Sequence, residues 1–243
     1  MIFTDCSKWN ERIDWQKAIN QGVEGTYLKV GGGSPTGSYL DTKFIENSQS
    51  CPLSYRGGYW FFNYTGQSGR DQCKYFLDKL SGFGNLRGVL DLEDSSGSGW
   101  AKLSSMYGTA LKEALAFKNE YLLETGHELV MYLNTGLTQL KQATVTGYKY
   151  TFRNFTSCPL WVANYNDIPV PPTGAWSTYA MWQYTSKAPG YIYGNGIGAP
   201  VIDLNIVKDL TALLKPGQGG DDQPTLTDSE KLEKLWNAHP ELH

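Results

Sequence analysis

Histidine is scarce in this chain: there are three among 243 residues, His127, His239 and His243, and two of them sit at the C-terminal end. A Ser-His-Asp relay would therefore rest on His127 alone, and no serine stands in a GxSxG elbow. HExxH is absent as well. The four cysteines, Cys6, Cys51, Cys73 and Cys158, show no CxxC or other metal-like spacing. They read as free thiols, with a Cys51–Cys73 bridge as the alternative. No metal site and no cofactor are expected. Gly31-Gly32-Gly33-Ser34 follows a strand-like run but lacks any GK[ST] or GxGxxG frame, so it reads as a flexible loop rather than a phosphate cradle. No run of 18 apolar residues exists, which excludes a helical membrane span. The first residues show no basic segment followed by an apolar one, so no secretory leader is expected.

Positive charge is also in short supply. Residues 221–243 hold two basic and six acidic residues, so the net charge of −3 divides into a near-neutral body and an acidic tail. A nucleic-acid binder would need a basic face, and none is visible.

Aromatic residues are plentiful, at 14% of the chain with 16 Tyr and 8 Trp. The length suits one large domain, since barrels of about 250 residues commonly form a single unit. Eight strand-like segments can be marked, at 2–5, 26–30, 58–63, 88–93, 129–134, 160–165, 180–185 and 201–204. Helical spacing over 13–21, 42–49, 68–80 and 100–124 separates the first five. That alternation predicts a parallel sheet, and eight strands predict its closure into a barrel.

The last third breaks the pattern. Pro169, Pro171, Pro172 and Gly174 precede one late strand; Pro189, Gly190, Gly194, Gly196, Gly198 and Pro200 precede the next. Neither connection can hold a crossover helix. The expected fold is thus an α/β, distorted eight-stranded β/α barrel with helices missing around its last strands and room for an antiparallel pair. Residues 206–214 read as the final packing helix. The barrel domain is drawn at 1–215, a Pro/Gly/Asp-rich linker at 216–226, and a short helical tail at 227–243. Thr227 to Glu230 there has capping-box form, and Leu232, Leu235 and Trp236 make one apolar stripe. Such a tail either folds back on the barrel or serves self-association or wall contact.

The most informative stretch is Gly88-Val-Leu-Asp-Leu-Glu-Asp94. On a strand, Asp91 and Glu93 share a face while Leu92 points to the opposite layer. Two carboxylates about 6.6 Å apart along a strand cannot both ionise freely, so one should hold a proton at raised pH. An acid beside an ionised partner is the equipment of glycosidic cleavage. Solvated acids at a strand end are the plain alternative. In a parallel barrel, however, strand ends converge on one mouth, and Asp5, Asp91, Glu93 and Asp203 all lie in such segments. Lys29 ends the second segment and could pair with them.

Tyr59, Phe61 and Asn63 alternate with Trp60, Phe62 and Tyr64, so one set should face the barrel and the other the helices. Tyr132, Trp161, Trp182 and Gln183 end other strands. Aromatic faces stack on sugars while amides read hydroxyls, which makes a glycan groove the functional reading and core packing the ordinary one.

In order along residues 3–207, the segments Phe3-Thr-Asp-Cys-Ser-Lys-Trp-Asn, Ile13-Asp-Trp15, Tyr27-Leu-Lys29, Gly58-Tyr-Trp-Phe61, Val89-Leu-Asp-Leu-Glu-Asp94, Leu160-Trp-Val-Ala-Asn-Tyr165, Met181-Trp-Gln-Tyr184 and Val201-Ile-Asp-Leu-Asn205 resemble the family 25 glycoside hydrolases, the lysozyme-type muramidases common among phage endolysins. The resemblance implies hydrolysis of the β-1,4 bond between N-acetylmuramic acid and N-acetylglucosamine in bacterial peptidoglycan. It implies Glu93 as general acid, Asp91 as the residue orienting the substrate acetamido group, and Asp5 and Asp203 as flanking acids. Lys29, Tyr59, Phe61, Tyr132, Trp161, Trp182 and Gln183 are then expected to meet substrate. Two positions depart from the family's usual pattern: Val30-Gly-Gly-Gly after the lysine, and Trp60 where a histidine is frequent. An endolysin would be made in the host bacterial cytoplasm and reach the wall through a separate pore. A carbohydrate-binding or phage structural protein on an inactive barrel is the competing class.

Overall fold

The computed structural model describes residues 1–93, 100–138, 143–145, 148–165, 173–196 and 198–218. In chain order its elements are β1 (Ile2–Cys6), α1 (Trp15–Asn20), β2 (Val23–Ser34), β3 (Gly37–Leu40), α2 (Phe44–Ser50), β4 (Tyr55–Phe61), α3 (Gly69–Leu80), β5 (Val89–Asp91), α4 (Trp100–Thr125), β6 (Val130–Asn134), α5 (Thr135–Thr138), β7 (Ala143–Val145), β8 (Tyr148–Tyr150), β9 (Leu160–Ala163), β10 (Met181–Pro189), β11 (Val201–Val207) and α6 (Leu210–Leu213). The predicted helix within 227–243, and all of the predicted linker beyond residue 218, lie outside the described residues.

Eight strands close into a barrel in the order β1, β11, β10, β9, β6, β5, β4, β2, with β2 returning to β1 and β3 hairpinned onto β2. Neighbours pair in parallel except β11, which runs antiparallel to both β1 and β10. The antiparallel return removes the need for a crossover helix, which the Pro- and Gly-rich connection at 190–200 could not have formed.

Inward and outward side chains alternate along the regularly paired stretches of the barrel strands. Phe3, Tyr27, Val89, Val130, Trp161, Met181 and Val207 fill the barrel interior. Leu28, Val30, Trp60, Leu90, Met131, Leu133, Val162, Leu204 and Ile206 face outward into the helical layer with Phe76, Ala110, Leu111, Ala114 and Phe117. The expected split of the β4 segment holds: Tyr59 packs against the interior cluster, whereas Trp60, Phe62 and Tyr64 join the outer one. All four cysteines are buried and free, without a Cys51–Cys73 bridge.

Two local expectations are corrected. Gly31–Gly33 is not a loop: β2 continues through it, pairing with Ser38–Leu40 of β3. A side chain on Gly31 would strike the Tyr39 carbonyl, and one on Gly33 the Gln72 amide, so these glycines permit close approach of chain to chain. Residues 206–214 do not form a full helix either. Ile206 and Val207 complete β11, and only the single turn Leu210–Leu213 follows, capped by the Asp209 carboxylate on the Ala212 N–H.

Two arms thus rise beyond the barrel mouth on either side of β1. One is the β2–β3 hairpin. The other is the end of β10 paired with the start of β11, where Ala188 and Pro189 meet Ile202 and Val201. At the opposite end, Arg87 donates to the Leu214 and Glu128 carbonyls, and the Lys215 ammonium donates to the Gly84 carbonyl. No helix among the described residues is long and apolar enough to cross a membrane.

Gln72 fixes the link from β4 to α3. Its buried amide oxygen accepts from Trp60 Nε1 and the Asn63 N–H, while its nitrogen donates to the Asn63 and Gln67 carbonyls. Replacing it with leucine strips partners from several buried polar groups at once. Gln72→Leu is expected to cost about 2–4 kcal/mol, read as a lower urea midpoint with an unchanged slope. A change within about 0.5 kcal/mol would show that this bridge is not structural.

Candidate active site

One step above the apolar interior layer, the inward positions become polar. Asp5 follows Phe3, Lys29 follows Tyr27, Asp91 follows Val89, Tyr132 follows Val130, and Gln183 follows Met181. On reversed β11 the order inverts, and Asn205 and Asp203 precede Val207. Period-two geometry therefore carries these groups to one end of the barrel.

A cavity of about 260 Å³ opens there, lined by Asp5, Tyr59, Asp91, Glu93, Tyr132, Trp161, Tyr165, Gln183, Ser186 and Asp203. Glu93 lies just beyond the end of β5, yet still lines this well beside Asp91, while Leu92 joins the outer core as the alternation requires. Lys29 and Phe61 stand next to the well rather than in its lining, with the Lys29 ammonium 4.0 Å from the centre of the Phe61 ring. Trp182 is placed elsewhere: it packs in the outer layer and donates its indole N–H to the Asn164 carbonyl at 2.9 Å. Adjacent residues on one strand face opposite ways, so with Gln183 pointing in, Trp182 must point out. His127 contacts Tyr121 and Glu128 ahead of β6, at the other end of that strand from the mouth.

The acids form two linked pairs. Asp5 and Asp203 stand opposite each other across the β1–β11 ladder. Asp5 Oδ2 accepts from Gln183 Nε2 at 2.9 Å and from Asn205 Nδ2 at 2.8 Å. Burial pushes Asp5 up to about 6, against the opposing pull of its hydrogen bonds from Asn205, Gln183 and Asp203. Burial, the Asp5 charge and the hydrogen bond to Asp5 push Asp203 further, to about 9. Near neutral pH the proton therefore resides on Asp203, which donates to an ionised Asp5.

In the other pair, burial first and then the Glu93 charge raise Asp91 well above the usual carboxylate range. Lys29 opposes this, and Asp5 and Asp203 add to it. Asp91 is 6% exposed, and its Oδ1 has no hydrogen-bond partner among the described residues. Such an oxygen is costly unless a ligand satisfies it. Lys29 is itself lowered by burial, with Asp91, Asp41 and Glu93 acting in the other direction.

Gln183 is the hub of the well's wall. Its Oε1 accepts from Tyr132 Oη at 2.8 Å and Tyr165 Oη at 2.6 Å, and its nitrogen holds Asp5. Asn205 continues the chain, accepting from Trp161 Nε1 at 2.7 Å and donating to Asp5 and the Phe3 carbonyl. Asn205 and Ser186 were not among the residues assigned to the site from sequence. Asn205 could have been found by stepping two residues from Asp203 along one strand face. Ser186 lies where the register of β10 shifts, and simple alternation does not reach it.

The family model for Glycosyl hydrolases family 25 matches residues 4–191. Among solved structures, the bacterial lysozyme from Streptomyces coelicolor superposes with a TM-score of 0.67 at 22% identity, covering 88% of this chain and 94% of its own. The muramidase from Trichobolus zukalii gives 0.64 at 23% identity, covering 88% and 99%. The CTP1L endolysin gives 0.63 at 24% identity, covering 86% and 67%. At these identities the likeness is one of fold. No curated protein matches the chain.

The Asp5–Asp203 pair makes stability depend on pH. Asp203 rises from 3.8 to about 9 on folding, so the folded chain binds more protons than the unfolded one across that interval. Stability should accordingly fall as pH rises from about 4 to about 9. Asp203→Asn keeps a donor for Asp5 and removes the titration. Urea unfolding across this range should then show a shallower slope than wild type and a higher midpoint at pH 8. Parallel pH profiles for the two proteins would contradict the assignment.

Proposed function

The chain belongs to the glycosyl hydrolases family 25, and from that premise we propose that it is a lysozyme-type muramidase. Its substrate would be bacterial peptidoglycan, cut at the β-1,4 bond between N-acetylmuramic acid and N-acetylglucosamine. The observation that carries this reading is the buried Asp91 Oδ1, without a hydrogen-bond partner among the described residues, beside Glu93 in an acid-lined well. A substrate acetamido group would give that oxygen the partner it lacks.

In this reading the substrate acetamido N–H donates to Asp91 and favours its ionised form, which leaves the proton of the pair on Glu93; Glu93 gives it to the glycosidic oxygen as the bond to the anomeric carbon breaks. The acetamido carbonyl oxygen, oriented by Asp91, closes onto the anomeric carbon and forms a cyclic oxazolinium ion. Water, deprotonated by Glu93, opens that ring from the first side and regenerates the acetamido group, so configuration is retained. Asp91 and Glu93 are one residue apart on a single strand end, an arrangement suited to one face of a sugar rather than to opposite faces. Lys29 offsets part of the negative charge. The hydrogen-bonded Asp5–Gln183–Tyr132 wall shapes the well for the ring. Tyr59 and Trp161 supply apolar surface. Likeness to the CTP1L endolysin supports host lysis as the setting, with synthesis in a bacterial cytoplasm and release to the wall.

Purified peptidoglycan, digested and reduced with borohydride, should yield new reduced muramic acid ends with wild type. Glu93→Gln should lower the rate about 10²–10⁴-fold. The first product followed by NMR should have the β configuration. Reduced glucosamine ends would move the cleaved bond, an α product would remove substrate assistance, and wall binding without any cleavage would favour a carbohydrate-binding role.

A further inference from the structure

The acid-lined well does not account for the whole mouth. From its edge a second run of side chains leads outward over β1 and β2. Lys29 lies over Phe61 and is acted on by the charges of Asp91, Asp41, Glu93 and Lys8. The Lys8 ammonium is in turn 4.8 Å from the centre of the Trp9 ring. Tyr39, on β3, stands beside this run within reach of the Asp41 and Asp91 charges. Trp9 is 74% exposed and Tyr39 37%.

A single exposed indole is ordinary on a protein surface; the mounting of this one is not. Trp9 sits in a 3-10 turn, Lys8–Asn10, closed by a reciprocal capping box between Ser7 and Asn10. Residues 7–14 bridge the two arms above the mouth. On one side the Lys8 N–H donates to Asp41 just after β3. On the other, the Gly196 N–H donates to the Asn10 carbonyl, the Asp14 N–H to the Gly194 carbonyl, and Asn10 Nδ2 to the Val201 carbonyl. Glu11, which ends the turn, is the one non-glycine residue held at positive φ among the described residues, at 58°. Strained backbone of this kind persists where surrounding contacts over-determine it, and it clusters at ligand clamps. The strap thus holds an exposed aromatic and a cation rigidly beside the well. Lys8 enters no ion pair among the described residues. Asp41, which takes the Lys8 backbone N–H, is buried and also accepts from the Lys43 N–H.

We propose that this ledge of Lys8, Trp9 and Tyr39 binds the peptide-bearing sugar adjoining the cleaved bond, Lys8 pairing with a carboxylate of its lactyl-peptide substituent and Trp9 supplying apolar surface. The inference rests on the muramidase reading for the identity of the polymer. It adds a source of selectivity: the ledge favours glycan carrying anionic substituents over an uncharged N-acetylglucosamine chain.

The test uses the full chain carrying Glu93→Gln, so that ligands survive, with calorimetric titration of a disaccharide-peptide dimer and of neutral N-acetylglucosamine tetramer. Lys8→Gln should weaken the muropeptide about five- to ten-fold and reduce its salt dependence, while leaving the tetramer unchanged. Trp9→Ala should weaken the muropeptide by a similar factor. In the active chain both changes should raise KM on peptidoglycan with kcat preserved. Unaltered muropeptide affinity in Lys8→Gln, an equal loss for both ligands, or no muropeptide binding by the parent would each overturn the ledge. If wild type fails to cleave peptidoglycan yet the Lys8-dependent preference persists, the ledge stands and the muramidase reading falls.

Discussion

Because β11 runs against both of its neighbours, the beginning of that strand, not its end, lies at the mouth of the barrel. That reversal sets Asp203 across from Asp5 and puts Asn205 one layer below, where its amide ties Asp5 to Trp161. A parallel β11 would have carried Asp203 to the closed end, away from the other acids. The rest of the site depends on this geometry. Four carboxylates with one nearby lysine cannot all be ionised in a half-enclosed well, and the fold answers by giving each pair a different solution. Asp5 and Asp203 share one proton under the hold of Gln183 and Asn205. Asp91 keeps a buried oxygen open next to Glu93.

The same arrangement explains why a mostly apolar barrel tolerates so polar a rim. Polar groups in the wall find partners in one another: Tyr132 and Tyr165 on Gln183, Gln183 and Asn205 on Asp5, Trp161 on Asn205. Buried networks of this kind are rigid when satisfied and costly when broken. Within this wall Asp91 Oδ1, which has no partner among the described residues, stands out as a place for substrate rather than a part of the scaffold.

Much of this was legible from residues alone, for a definable reason. Strand alternation is a strict period of two, so assigning Asp91 and Glu93 to one face and Leu92 to the other needed only a strand. The same rule separated Tyr59 from Trp60 onto opposite faces, leaving to the structure which of them points inward. Alternation also could have excluded Trp182 once Gln183 was taken as inward, since neighbours cannot share a face. What local pattern could not reveal was tertiary in origin. Gly31–Gly33 looks like a loop because glycine is a poor strand residue; it is a strand because Tyr39 and Gln72 press too close for any side chain. The extension of β11 through Val207 depends on pairing with Met181 and Trp182 of β10 and with Met1 and Ile2 at the far end of the chain, which no short window contains. Ser186 enters the well only because the register of β10 slips.

The β1–β11 ladder also governs when the chain can fold. Ile2 pairs with Ile206, and the Val207 N–H reaches back to the Met1 carbonyl. A nascent chain that has emerged only through β10 has two raw sheet edges, β1 and β10, and no strand to join them. Contacts of such sequence separation close slowly, and exposed edges invite pairing with other chains. The barrel therefore cannot close before its last strand is made: the first strand must wait, unpaired along one edge, for β11.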